Sequence, residues 1–202
     1  TSPRLSSGAM NPITHALLGW ACGHREANRT DRALVVIAGV APDLDGLGIL
    51  PEWLTAGARW MAPLTWYTDY HRLLCHNLLF CGGLAAGAWA LTRKPRVAGL
   101  VFLSVHLHLL GDVLGARGPE GKVWGVPYLA PLSTEMFTWS GQWALNAWPN
   151  ILLTVVLLAL TFRWAWRSGS SPVGLLSPRA DAAFVDTLRQ RFGPPAAPSS
   201  SD

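Results

Sequence analysis

Charge is scarce in this chain. Only 14% of its 202 residues are Asp, Glu, Lys or Arg, against about 25% in an average soluble domain. No Lys/Arg-rich run with interleaved aromatics occurs, so nothing in the sequence points to a nucleic-acid partner. Cysteine is scarce as well. Cys22, Cys75 and Cys81 are an odd number set within or beside apolar runs, and they make neither a disulfide framework nor a CxxC metal motif. No cleavable signal peptide is recognisable. Thr1 to Ala9 is small, polar and without an apolar stretch, so residues 1–10 are expected to be a disordered leader or an expression remnant. Internal repeats are lacking.

Apolar and aromatic residues fill the space that charge leaves. Half of the residues are hydrophobic and eleven are tryptophan. The mean hydropathy is +0.25, which suits a membrane protein better than a soluble enzyme. Asn11 can cap a helix with Pro12 at its first position, running to about Cys22. Thr30 or Asp31 can cap a second, Arg32 to Ala41, stopped at Pro42-Asp43-Leu44-Asp45-Gly46, which places the two carboxylates on a turn. Leu73 to Leu91 offers about 19 residues against the roughly 20 that a span needs. Val97 to Leu114 and Pro149 to Trp166 are further apolar runs. The expected fold is therefore all-α: an integral membrane helical bundle of about five helices, the first two short, with a polar metal site at one end. Residues 168–202 are expected to form a largely disordered tail, with one amphipathic helix near 180–192.

The polar residues are not scattered at random. Arg93-Lys94-Pro95-Arg96 is a short connection, so the helices on either side of it should pack antiparallel. The start of the first (His71, His76) then meets the end of the second (His108, Asp112). His108 and Asp112 are four apart and project from one helix face, whereas His106 points away. His71 and His76 converge only if His71 lies in the turn entering the helix. Arg72 between them can stabilise developing negative charge on a substrate, or sit against lipid phosphate. Asp43 and Asp45 repel unless a cation lies between them or one is protonated; a solvated turn pair is the plain alternative, as a satisfied helix-start histidine is for His15. Glu135 and His24 read as surface residues.

Alternating helix directions gather Arg25, Arg29, Arg32, Arg93, Lys94, Arg96, Arg163 and Arg167 on one side, which the positive-inside rule makes cytoplasmic. His15, Asp43, Asp45, His71, His76, His108 and Asp112 fall towards the other, extracytoplasmic side. Imidazoles with carboxylates suit Zn²⁺, or Mn²⁺ or Fe²⁺, rather than a thiolate-bound metal. Such an ion can activate water towards an ester or phosphoester.

The order Thr14-His15, Pro42-Asp43-Leu44-Asp45, His71-Arg72 with His76, and His108-Leu-Leu-Gly-Asp112, followed by Gly125 to Leu132, resembles the YdjM-like membrane-bound metal-dependent hydrolases. The resemblance covers about residues 10 to 166. It implies a bacterial or archaeal inner-membrane protein, multi-pass, related to the helical zinc-dependent phospholipase C and P1 nuclease fold. It also implies a membrane-embedded hydrolase domain over 11–167. As metal ligands it implies His15, Asp43, His71, His76, His108 and Asp112, with Asp45 as ligand or base and one to three divalent ions. Leu73, Cys75, Asn77 and Gly46 depart from the family's usual pattern. The partners expected are the lipid bilayer and a membrane-presented or small-molecule substrate, a phosphoester or ester that can be lipid-like. The alternative is a non-enzymatic metal-binding or accessory membrane protein, or an ion carrier, using the same cluster.

Overall fold

A computed structural model describes residues 11–58, 60–118 and 121–195. The expected leader over 1–10 and the last seven residues of the tail lie outside this description. The fold is all-α. Helix α1 (Pro12–Gly23) begins as its sequence dictates: Asn11 accepts a hydrogen bond from the Ile13 amide, and Pro12 occupies the first position. Helix α2 (Arg29–Val40) is capped by Asn28, which accepts from the Thr30 and Asp31 amides, not by Thr30 or Asp31. Asp31 is instead drawn into an ion pair with Lys94 at 2.6 Å.

Pro42 does not stop the chain after α2. It tightens it into a 3-10 helix, Ala41–Gly48, where proline near the first turn costs no hydrogen bond. Helix α3 (Ile49–Thr55) continues directly, so Arg29–Thr55 forms one 27-residue apolar stretch. The short α4 (Trp66–Tyr70) leads into an irregular loop, 71–77. Helix α5 (Leu78–Thr92) turns through Arg93 and Lys94 into α6 (Pro95–Gly115). Helix α7 (Trp148–Ser168) follows the aromatic segment. A 3-10 turn (Pro172–Leu175) and helix α8 (Pro178–Phe192) occupy most of 168–195.

Among the described residues, three segments are long and apolar enough to cross a membrane, not five: Arg29–Thr55, Pro95–Gly115 and Trp148–Ser168. Helix α1 has 12 residues. Helix α5 begins five residues later than the apolar run suggests and has 15, about 22 Å of rise against about 30 Å of hydrocarbon. The physical reason is Asn77. Its side chain accepts from the Phe80 amide, starting the helix there, and its Nδ2 donates to the carbonyls of Leu73 and Leu74 at 3.1 and 3.0 Å. Those bonds hold 73–74 in a loop.

The core joins α2, α5 and α6 through Val35, Ala38, Cys81, Ala88, Val97, Val101, Val105 and Leu109. Small residues bring α1, α2 and α6 close together, as in other membrane bundles. A Cβ on Gly39 would stand 2.9 Å from both the His15 carbonyl oxygen and Ser104 Oγ. Ser104 donates to the Val35 carbonyl at 2.9 Å. This close crossing sets His15 of α1 beside His108 of α6.

Candidate metal centre

Four segments deliver the site. Helix α1 contributes His15, the 3-10 helix contributes Asp43 and Asp45, the loop before α5 contributes His71, Arg72 and His76, and α6 contributes His108 and Asp112. His15, His76, His108 and Asp112 are fully buried. Asp43, His76, His108 and Asp112 each present a ligand atom within 4.8 Å of the others. His76 Nε2 lies 3.3 Å from Asp112 Oδ2. His108 Nε2 lies 3.6 Å from the same oxygen and 3.6 Å from Asp43 Oδ1.

The hydrogen bonds on the far side of each ring fix what the near side can do. His108 Nδ1 donates to the Gly39 carbonyl at 2.8 Å. His76 Nδ1 donates to Asp45 Oδ2 at 3.3 Å. With both Nδ1 atoms protonated, the neutral rings turn their Nε2 lone pairs inward, as metal-binding histidines do. Those two nitrogens are 3.4 Å apart, and two carboxylates close on them. Lone pairs converging in a dry pocket repel unless a cation lies among them. Both Asp43 oxygens are buried and without a hydrogen-bond partner, which fits a carboxylate awaiting the same cation. The donor set of two imidazoles and two carboxylates suits a divalent ion of the zinc, manganese or iron type. Without one, burial favours the neutral His76 ring. Hydrogen bonds and charge from Asp112 and Asp45 outweigh it and push His76 up to about 9.

The remaining expected residues flank this group. His15 stacks on His108 with centroids 3.6 Å apart and sets Nε2 3.6 Å from Asp112 Oδ1. Asp45 lies outside the four. One of its oxygens takes His71 Nδ1 at 3.0 Å; the other takes the Arg72 amide at 2.9 Å and the Cys75 amide at 3.3 Å as well as His76. His71 does lie in the entry turn, as convergence with His76 requires; its ring packs on Tyr67 at 4.5 Å and its Nε2 is buried without a hydrogen-bond partner. His106 points away, bonding Phe102 and Tyr128.

Arg72 is unusual in two respects. Its backbone takes the left-handed conformation, φ 68°, uncommon outside glycine and concentrated at functional sites. Its guanidinium is buried with no hydrogen-bond partner on any nitrogen. It rests 4.9 Å over the Trp124 ring, with Nη2 3.9 Å from Asp112 Oδ2.

Two supporting residues had no signal in the sequence. Gln142 donates to the Asp112, Val113 and Trp124 carbonyls and accepts from the Trp124 amide. It thereby fixes both the end of α6 and the indole beneath Arg72. Gly39 acts through its carbonyl alone.

A family model described as "YdjM inner membrane protein" matches residues 10–178. The chain belongs to the YdjM inner membrane protein family. Comparison with curated proteins gives no match, and comparison with solved structures gives none. Family, apolar spans and buried cluster together make this YdjM-family chain a membrane-associated protein with a His/Asp group able to coordinate a divalent metal ion.

Proposed function

We propose that residues 11–167 form a membrane-embedded metal-dependent hydrolase that cleaves a phosphoester or ester of an amphiphilic, membrane-presented substrate. The observation that carries this reading is the convergence of His76 Nε2 and His108 Nε2, 3.4 Å apart, with Asp43 and Asp112 around them. We assign the ion to these four, with His15 against His108 as a further ligand where a second ion is held. A bound divalent ion would supply a Lewis acid and a water acidified from 15.7 to about 7.

The chain's own residues do the rest. Arg72 presents buried donors without acceptors, suited to the anionic oxygens of a phosphoester as charge develops on them. His71 holds its proton on Nδ1 towards Asp45, so its buried Nε2 can accept a proton from attacking water. Asp45 acts through His71 and His76 rather than on the metal, because all its contacts are already taken up in orienting the 71–76 loop.

The substrate's apolar portion has a place beside the site. A groove of about 910 Å³ is lined by Leu73, Leu74, Asn77, Phe80, Pro127 and Met136. It opens on the same loop that carries Arg72 and His76. The arginine-rich helix ends lie away from the cluster, which by the positive-inside rule supports an extracytoplasmic centre.

The test is elemental analysis of detergent-purified protein beside His108→Ala and Asp43→Ala, with each assayed against phosphodiester and lipid-ester substrates. Stoichiometric metal lost in both variants, together with hydrolysis, is expected. Equal metal content in all three proteins would remove the basis for the assignment.

A further inference from the structure

The end of the bundle remote from the His/Asp cluster has a cavity of its own. His24 stands nine residues beyond His15 on α1, about 14 Å of helical rise. Here a cleft of about 450 Å³ opens between the end of α1, the connection to α2 and the last turns of α7. His24, Arg25, Arg32, Arg163, Trp164 and Arg167 line it, with Glu26 as the one carboxylate. Glu26 is already paired with Arg96, Oε1 to Nε at 3.0 Å. Arg32 donates to the Glu26 carbonyl through Nη1, while its Nε is buried without a hydrogen-bond partner. Arg25, Arg163 and Arg167 make no ion pair among the described residues.

Four guanidiniums from three segments converge on one small space. The end of the α7 dipole favours one or two of them; it does not account for Arg25 and Arg32, which come from elsewhere. One wall is flat and aromatic, His24 stacked on Trp164 with centroids 4.0 Å apart. The cleft also borders apolar space, through one shared residue. Arg163 lines a second groove, of about 420 Å³, whose other walls are Phe162 and Trp166 of α7 and Leu188 and Phe192 of α8. A basic cleft and an apolar groove that share one arginine are complementary to an anionic head joined to a hydrocarbon tail. A free phosphate would use only the first.

We propose that this end binds an anionic phospholipid, its phosphate among Arg25, Arg163 and Arg167 and one acyl chain in the groove between α7 and α8. Basic pockets between membrane helices are suited to such headgroups, and each arginine near an anionic surface adds to the attraction. The site is independent of the hydrolytic centre.

The experiment is native mass spectrometry of the full detergent-purified chain titrated with phosphatidylglycerol, phosphatidylcholine, glycerol phosphate and inorganic phosphate. Three proteins are compared: the unaltered chain, the Arg163→Gln/Arg167→Gln double variant and Arg179→Gln as a control at the start of α8, the end away from Leu188 and Phe192. Retention of phosphatidylglycerol over phosphatidylcholine is expected, weakened on the order of ten- to thirty-fold in the double variant and unchanged in the control. Equal retention of the two lipids, or unchanged retention in the double variant, overturns the proposal. So does binding of the soluble phosphates as strongly as the lipid. Arg163 and Arg167 are exposed, so the double variant should fold, and unaltered metal content confirms that it has. Should it fail to fold, Arg25→Gln alone, in the loop after α1, must weaken phosphatidylglycerol by several-fold, and no change there overturns the proposal equally.

Discussion

Asp45 grips His76 from behind, Oδ2 to Nδ1 at 3.3 Å, across 31 residues of sequence. The same carboxylate holds His71 and two amides of the intervening loop. Asp45→Asn keeps the shape but offers one acceptor oxygen in place of two, and no charge. Loss of a partner behind a ligating histidine typically weakens metal binding 10- to 100-fold. Calorimetric titration of the variant with Zn²⁺ should show that loss while the melting temperature stays within a few degrees. Affinity equal to that of the unaltered protein would mean that Asp45 does not orient the ligands.

Arg72→Lys separates substrate binding from metal binding. Lysine keeps the charge but not the fork of donors. Activity should fall on the order of 100- to 1,000-fold, as for loss of one transition-state donor, with metal content unchanged. Parallel loss of both would place Arg72 in the structural support of the ligands.

Chelation should abolish hydrolysis without unfolding the bundle. Val35, Val101, Val105 and Leu109 pack the helices on one another irrespective of the cluster, unlike small domains that metal alone holds together. Circular dichroism of the stripped protein should retain its helical signal, with the melting temperature raised again on adding metal, since a ligand at 100 times its Kd adds about 2.7 kcal/mol. Collapse of the helical signal would instead mark a structural metal.

At Gly39 an added Cβ meets the His15 carbonyl oxygen and Ser104 Oγ, both at 2.9 Å. Gly39→Ala must push α1 from α2, at a cost of about 1–3 kcal/mol for overpacking. Because Gly39 also accepts from His108 Nδ1, metal affinity should drop with stability. Gly82→Ala, on α5, meets nothing within 4 Å and serves as the control.

Burial, with the nearby Asp45 charge, pushes the Cys75 thiol up to about 11. Only the thiolate reacts with maleimide or iodoacetamide. At pH 8 about one Cys75 in a thousand is ionised, so labelling there should be slow and should rise tenfold per pH unit up to about 11. Fast labelling at pH 7 would contradict the packing around the 71–76 loop.

Much of this arrangement is legible in the sequence. Helices α6 and α7 begin and end within two residues of where their apolar runs do. The spacing of His108 and Asp112 announces a shared face, and the Arg93–Arg96 connection brings them to His71 and His76. Part of what could not be read depends on partners distant in sequence. The start of α5 is hidden because Leu73-Leu74 continues the apolar run. Only Asn77 bridging back to their carbonyls, and Asp45 capturing the loop amides, keep that stretch from being helix. Asn28, itself a good N-cap residue, opens α2 three residues before the expected start, and Asp31 pairs instead with Lys94, 63 residues away. Gln142 and the Gly39 carbonyl do their work with groups that no spacing rule singles out.

The brevity of α5 has a consequence for the bilayer itself. A helix of about 22 Å falls roughly 8 Å short of the hydrocarbon core, a mismatch that thinning of the bilayer or polar flanking residues can absorb. With Arg93 and Lys94 following one end of α5, the shortfall falls at the other, on the loop that holds Arg72 and His76. A substrate held in the bilayer would then have less far to travel to reach that loop.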